Sequence, residues 1–435
     1  MNRTLKNASW IIICRIVQAI LALIIGMITA RYLGPSNYGL LNYAISVVAF
    51  SIPVMKLGLT STLVQELVAD PEHEGSTLGT SLVLSLMSAT VCFAGVNVFV
   101  NLSNAGEQDT IIVCALYSTI LFFQAFEVFI YWFQRHLIAK YSSIVALIAY
   151  VLVSIYKIYL LVTQKSIYWF SVANALDALI IAIGLVYMYK RKGGEKLRFN
   201  KERAKQLLSV SKYYIISDIM VVVFVQTDRV MLKMMLDNAA TGYYSAAVTC
   251  AMVTQFVFAA IIDSMRPLIF ESKIKSEDSY QLNLSRLFSI ITYLSLIQSV
   301  VMTVFASIII HILYGAQYAE SISALQIVVW YTTFSYLGSA RNIWILAEGK
   351  QKHLWKINLF GALANVALNA VLIPIMGVNG AALASLVTQF LTNVVTGYIF
   401  PPIRGVNSIL IKGFNPKFFV ENASIVMQQV KSRNR

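Results

Sequence analysis

The feature that most constrains this chain is a succession of apolar blocks about 20 residues or more in length, long enough for a helix to cross the hydrocarbon core of a bilayer. Twelve blocks recur along the sequence: 8–30, 38–57, 77–100, 110–133, 141–163, 167–189, 207–233, 241–265, 284–309, 321–347, 354–375 and 378–400. Backbone polar groups in lipid must be satisfied internally, so these blocks predict an all-α polytopic membrane protein with about twelve transmembrane helices. Composition agrees. Of 435 residues 58% are hydrophobic and 12% charged, about half the charged share of an average soluble domain, and the mean hydropathy is +0.70. A soluble enzyme is excluded. The first block is longer than a signal-peptide core, and no small-residue cleavage pattern precedes Arg31, so it reads as a retained span. Cys14, Cys92, Cys114 and Cys250 each lie in a separate apolar run without metal-pair spacing and read as small buried hydrophobes.

Basic loops stay on the cytoplasmic side of a membrane. With the N-terminus inside, the inner segments collect Arg3, Lys6, Arg135, Lys140, the cluster from Lys190 to Lys205, Lys350, Lys352, Arg404 and the terminal Lys431, Arg433 and Arg435. The outer loops hold Arg31, Lys165 and Lys233. This asymmetry predicts cytoplasmic N- and C-termini. One inner loop runs against it, since Glu66, Asp70, Glu72, His73 and Glu74 are mostly acidic. The net charge of +14 is scattered over membrane-edge loops rather than gathered on one face. That points to topology and contact with anionic membrane lipids, not to nucleic acid. Trp10, Trp132, Trp169, Trp344, Trp355, Tyr189, Tyr213 and Tyr243 stand near block ends, where interfacial anchors are expected.

The basic stretch Lys190–Lys205 divides the blocks six and six. The expected organisation is an N-terminal lobe over 1–189, a basic linker over 190–206, a C-terminal lobe over 207–400 and a basic cytoplasmic tail over 401–435. A repeat supports the division: Leu33-Gly34-Pro35-Ser36-Asn37-Tyr38-Gly39 through Ala44 follows the first block, and Leu236-Asp237-Asn238-Ala239-Ala240-Thr241-Gly242 through Ala247 follows the seventh. Each glycine follows a short polar turn, where a tight reversal needs a residue without a Cβ clash. Lobes that share one topology are related by a pseudo-twofold along the membrane normal, with a central cavity between them. That is a carrier's architecture.

Catalytic signatures are missing. The chain has no phosphate-binding loop, no His-Glu-x-x-His, no Gly-x-Ser-x-Gly and no cysteine pair, so no catalytic, metal or cofactor role is expected. Charge within the bilayer is expensive and marks function by default. The candidate substrate contacts are Arg15, Lys56, Lys157, Arg229, Arg266 and Arg341, and the candidate ion-coupling acids are Glu127, Asp177, Asp218 and Asp228. Arg15 sits about two turns inside the inner face with Gln18 on its side of the helix; it is either a cationic post for an anionic substrate or a snorkelling side chain. Lys56 and Arg266 lie nearer the edge and snorkel more easily. Asp218 and Arg229 are close to three full turns apart and share a face; with Asp228 they either contact substrate or pin the span as an interhelical ion pair. Asp177, near the middle of its span, suits a proton or sodium relay, or a neutral acid hydrogen-bonded to a neighbouring helix. Pro53 and Pro374 interrupt two spans, and Gly377-Val378-Asn379-Gly380-Ala381-Ala382 predicts a tight turn into small-residue packing.

Three stretches carry a family resemblance: Ala30-Arg31-Tyr32-Leu33-Gly34-Pro35-Ser36-Asn37-Tyr38-Gly39, then Thr227-Asp228-Arg229-Val230-Met231-Leu232 with Gly242-Tyr243-Tyr244-Ser245-Ala246-Ala247, and Pro374 through Ala382. In order and spacing the chain resembles, through Phe400, the polysaccharide-transporter branch of the multidrug, oligosaccharidyl-lipid and polysaccharide (MOP) exporter superfamily, in particular the Wzx O-antigen flippases. The resemblance implies a MATE-like fold and a flippase in the inner membrane. Its substrate would be an undecaprenyl-diphosphate-linked oligosaccharide, moved from the cytoplasmic to the periplasmic leaflet by alternating access coupled to H+ or Na+. It also implies a polysaccharide polymerase and a chain-length regulator as partners. A diphosphate needs fixed positive charge in a low-dielectric cavity, for which Arg15, Lys157, Arg229 and Arg341 are the first candidates. A drug or cation exporter of the same superfamily would want acids dominating the cavity, and a membrane-bound polymerase a large outer loop with catalytic residues.

Overall fold

The computed structural model describes residues 3–419, without the side chains of residues 3–9, 11–13, 61 and 213. The expectations placed on Lys431, Arg433, Arg435 and the side chains of Arg3, Lys6 and Tyr213 therefore lie outside the described residues. Every regular element in the described range is helical, and each of the twelve apolar blocks is a helical rod. Helix α1 (Arg3–Met55) holds the first two blocks, separated at Gly34. It is followed by α2 (Leu63–Ala69), α3 (Glu74–Ser103) and a fourth rod broken into α4 (Gln108–Ser118), α5 (Ile120–Gln124) and α6 (Val128–Arg135). Then come α7 (Lys140–Val162), α8 (Ile167–Arg191), α9 (Lys201–Met235), α10 (Asn238–Ala251), α11 (Gln255–Lys275), α12 (Glu277–Leu313) and α13 (Ser321–Ala347). The chain continues through α14 (Leu354–Met376), α15 (Val378–Phe390), α16 (Thr396–Ile399) and α17 (Gly405–Gly413). Among the described residues eight helices are long and apolar enough to cross a membrane, ten if each of the two bent pairs is one span. The remaining difference from twelve is that Cys14–Met55 counts once and that α13 is not among the ten.

The chain forms two compact units, Met1–Gly242 and Tyr243–Arg435. In the first, Leu63, Leu67, Leu78, Val128, Phe129, Trp132, Phe133, Leu185 and Tyr189 make a core between α2, α3, α6 and α8. In the second, α11, α12 and α13 pack around Phe258, Leu284, Phe288, Tyr336 and Trp344, and α17 closes that core with Val406, Ile409 and Leu410. All four cysteines are buried and unpaired, as small hydrophobes would be. Gly377, with φ of 58°, makes the reversal between α14 and α15, and a Cβ at Gly380 would fall 2.1 Å from the Leu372 carbonyl oxygen.

The repeated glycines act through proximity rather than backbone freedom. The left-handed φ in the first turn belongs to Gly34 at 72°, whereas Gly39 is helical and lies against the second copy of the motif. A Cβ on Gly39 would stand 1.7 Å from the Asn238 carbonyl oxygen, and one on Gly242 would stand 2.0 Å from that of Pro35. At the other end of the same span, Gly58 (φ 68°) meets the Ser211 carbonyl oxygen. The segment from Ser211 through Gly242 thus lies along span two within the first unit, with backbone against backbone at Gly39 and Gly58.

The linker is a docked strap. Gly75 N donates to Glu195 Oε2 (2.8 Å), Arg198 N to Gly75 O (3.2 Å), Asn200 N to Thr80 Oγ1 (3.0 Å) and Arg203 Nε to Thr77 Oγ1 (3.0 Å). Asn200 then caps α9 by accepting from Glu202 N and Arg203 N, which satisfies two helix-end donors. This docking resolves the acidic loop that ran against the charge rule. Arg203 reaches Glu66 (3.7 Å) and Asp70 (3.4 Å), and Arg135 pairs with Glu74 at 2.7 Å. The Asp70 carboxyl is held below its ordinary range mainly by its hydrogen bond with His73. Three of the expected interfacial anchors are core residues instead. Trp132 is buried and donates from Nε1 to Glu74 Oε2 (2.9 Å), and Tyr189 and Trp344 are buried as well. Trp10, Trp169 and Trp355 are exposed, as anchors would be.

Candidate functional site

The charged side chains expected within the spans of the first unit fall into three places. Near one end of span two, Lys56 Nζ meets Glu127 Oε2 at 2.7 Å with both side chains part-exposed. Glu127 is presented by a 3-10 turn, Ala125–Glu127, that interrupts the fourth rod between α5 and α6; tight 3-10 turns inside a helix commonly mark functional breaks. Asp218 on α9 lies within electrostatic reach of Lys56, and Tyr131 within reach of both Glu127 and Asp218. Lys56, Thr60, Ser85, Glu127 and Tyr131 line a small cleft. Two carboxylates and one ammonium therefore converge at the meeting of spans two, four and seven.

Further along the α9 interface, Arg229 Nη1 donates to Gln226 Oε1 (3.0 Å), which also accepts from Ser46 Oγ (3.0 Å). Asp228 is buried on the same helix, and both it and Arg229 engage further neighbours. In the last turn of the same helix, Lys233 Nζ binds Glu107 at 2.8 and 2.7 Å, and that ammonium holds the Glu107 carboxyl below its ordinary range against the opposing effect of burial. The third place lies between α7 and α8. Lys157 Nζ donates to Asn174 Oδ1 (3.0 Å), and Asp177, one turn beyond Asn174, is within electrostatic reach of the same ammonium. Asp177 Oδ1 is buried without a hydrogen-bond partner. Arg15, on the first half of α1, is exposed and has no ion-pair partner among the described residues.

In the second unit, Arg266 and Asp263 form an exposed pair one turn apart at 2.9 Å. Arg341 is 3% exposed. Its Nη1 donates to the Thr392 carbonyl oxygen (2.7 Å) and to Thr396 Oγ1 (3.3 Å), while Nε has no partner. Thr392 lies in a π-helical stretch, Leu391–Val395, and its carbonyl oxygen accepts from both the guanidinium and the Thr396 hydroxyl. No carboxylate pairs with Arg341 among the described residues. It is fixed inside packed protein, whereas Lys56, Lys157 and Arg229 stay half-buried. No group of His, Cys, Asp or Glu among the described residues could hold a metal ion.

Ser46, Tyr131, Asn174 and Gln226 were missing from the sequence-derived set although they touch or neighbour its members. Spacing carried the signal for two of them. Asn174 precedes Asp177, and Gln226 precedes Arg229, by three residues, the separation that puts two side chains on one helix face.

The helical order reproduces a fold seen in solved membrane transporters. It superposes on an inward-facing MATE multidrug transporter with a TM-score of 0.68 over 91% of this chain and 96% of that one, at 15% identity. On the lipid II flippase MurJ in an inward closed conformation the TM-score is 0.75 over 95% and 92%, at 14% identity. The chain belongs to the polysaccharide biosynthesis protein family, whose pattern matches residues 4–273. It is 23% identical over 414 residues to the capsular polysaccharide biosynthesis protein CapF of Staphylococcus aureus, covering 92% of this chain and 99% of that one. It is also 27% identical over 271 residues to an uncharacterized membrane protein, MJ1068, of Methanocaldococcus jannaschii, covering 60% of this chain and about half (52%) of that protein.

Proposed function

We propose that this protein is a flippase for oligosaccharide units linked through diphosphate to undecaprenol, carrying them from the cytoplasmic to the periplasmic leaflet of the inner membrane. The observation that carries this reading is the nearly end-to-end alignment with a capsular polysaccharide biosynthesis protein, joined to a fold shared with a lipid flippase. Both termini are cytoplasmic in this reading. Lys56 and Glu127 supply the coupling. As found, each neutralises the other across 2.7 Å. A proton or sodium ion taken up on Glu127 from the periplasmic side releases the Lys56 ammonium as the empty carrier returns, and Lys56 then takes a diphosphate oxygen at the cytoplasmic side. The ion leaves to the cytoplasm before the loaded carrier turns, and the re-formed Lys56–Glu127 pair displaces the diphosphate at the periplasmic side, so ion and substrate cross in opposite directions, as an inward gradient requires to drive outward transfer. Arg15, exposed and without an ion-pair partner among the described residues, gives the first cationic contact, and Arg229 extends the track.

The test is leaflet accessibility of the lipid-linked unit in cells with and without the gene, with the downstream polymerase removed. Accumulation on the cytoplasmic side only when the protein is absent supports the proposal. Equal crossing in both strains, with no second carrier present, overturns it.

A further inference from the structure

We propose that the outer face of α8 holds a resident anionic glycerophospholipid, independently of the transported substrate. Leu179, Ala182, Ile183, Val186, Tyr187 and Lys190 form one stripe of α8, and with Phe123 and Phe126 they line an open groove of about 450 Å³, within the roughly 300–1,000 Å³ of ordinary ligand pockets. Sequence makes the hollow. The fourth rod tightens into its 3-10 turn at Ala125–Glu127, and opposite it α8 offers the methyl group of Ala182.

Charge stands at one end only. From Leu179 to Lys190 the stripe runs about 16 Å at 1.5 Å per residue, close to the ~15 Å hydrocarbon depth of one leaflet. Lys190 is the single charged lining residue. Beside it Arg191 Nη1 reaches the Tyr187 hydroxyl at 3.5 Å, and the Lys192 ammonium stands 4.3 Å over the Tyr141 ring. Glu195, the one carboxylate between Lys190 and Lys201, is turned away to the Gly75 amide. Next on the strap, Leu197 and Phe199 are exposed between Lys196, Arg198 and Lys201, an apolar and basic alternation suited to a headgroup layer. A groove one leaflet long, dry along its length and cationic at its mouth fits one acyl chain below a phosphate. Occupants without charge would leave the mouth unused.

The full-length protein in nanodiscs is photolabelled with phosphatidylglycerol, and separately with phosphatidylcholine, each carrying a diazirine on its acyl chain, and the labelled peptides are mapped. The expected result is labelling by phosphatidylglycerol several-fold above phosphatidylcholine within 120–126 and 179–190. The surface double variant Lys190→Gln, Arg191→Gln removes that preference, and Ala182→Phe, which fills the groove, removes the label. Equal labelling by both lipids, labelling elsewhere, or an undiminished signal in the double variant overturns the proposal. Displacement of the label by undecaprenyl phosphate but not by unlabelled phosphatidylglycerol also overturns it, by assigning the groove to the substrate's tail. None of these readouts depends on transport.

Discussion

The two units treat polar groups inside their spans in opposite ways. In the first, charges meet charges or amides in half-open settings: Lys56 with Glu127, Lys157 with Asn174, Arg229 with Gln226. In the second, the deep cation Arg341 is locked onto a π-helical carbonyl, and the polar neighbours around it are neutral Asn, Gln and Thr. Two glycines differ in a comparable way. Gly39 makes room for backbone, while Gly338 makes room for the Asn393 side-chain amide, whose Oδ1 lies 2.2 Å from where a Cβ would stand. Lys56, Lys157 and Arg229 keep half-open partners that can exchange, whereas Arg341 is fixed inside packed protein.

The contrast can be broken most readily at the glycines. Gly39→Ala forces a methyl into a carbonyl that cannot turn aside and is expected to destabilise by about 3 kcal/mol. Gly338→Ala meets an amide able to rotate and is expected to cost about 1 kcal/mol. Thermal unfolding of both in detergent checks the order; equal losses would remove the distinction. Next in size, Arg341→Ala leaves a cavity and an underused carbonyl, an expected loss of about 2 kcal/mol, with transport scaling only with the amount of folded protein. If Arg341→Ala instead abolishes flipping in a fully folded population, the second unit also carries working charge.

Lys56→Met and Glu127→Gln sharpen the other side. Each is expected to change stability by less than about 1 kcal/mol, since both groups are partly open to solvent. Lys56→Met should lose flipping, and Glu127→Gln should lose its dependence on the ion gradient. A gradient dependence that survives Glu127→Gln would move the coupling to Asp177. The smallest effect is expected at Glu107. Its carboxyl is held low by Lys233, so its contribution is complete above the ordinary glutamate pKa and fades as pH falls through the depressed folded value. With the carboxylate half exposed and its partner buried, that contribution is about 0.5 kcal/mol. Glu107→Gln should therefore lower the melting temperature slightly at neutral pH and not at all in strong acid.

The twelve rods were legible because hydropathy over a window of span length is a local property, and the turn at Gly377 because glycine there answers a local need. What was not legible required partners far along the chain. Trp132 reads as an interfacial anchor until Glu74, distant in sequence, is placed beside its indole. The acidic loop contradicts the charge rule until Arg203 arrives next to Glu66 and Asp70. The charged candidates were found by type, yet Lys56 with Glu127 differs from Arg341 only in which way each helix faces, and span-wide apolarity leaves helix facing almost without a periodic signal. The glycine repeat was seen correctly as a repeat, but its reason, two backbones touching, lies in three dimensions.

The docked strap also orders events during synthesis. Its hydrogen bonds to the start of α3 join residues 120 positions apart, so they form only after six spans have left the ribosome and settled with Gly75 and Thr80 on the strap's side of the bilayer. A third span inserted upside down would leave the Glu195 carboxylate and the Asn200 amide without their partners at Gly75 and Thr80. Closure of the strap therefore requires the correct orientation of the third span and ties a long-range contact, of a kind ordinarily slow to form, to the completion of the sixth.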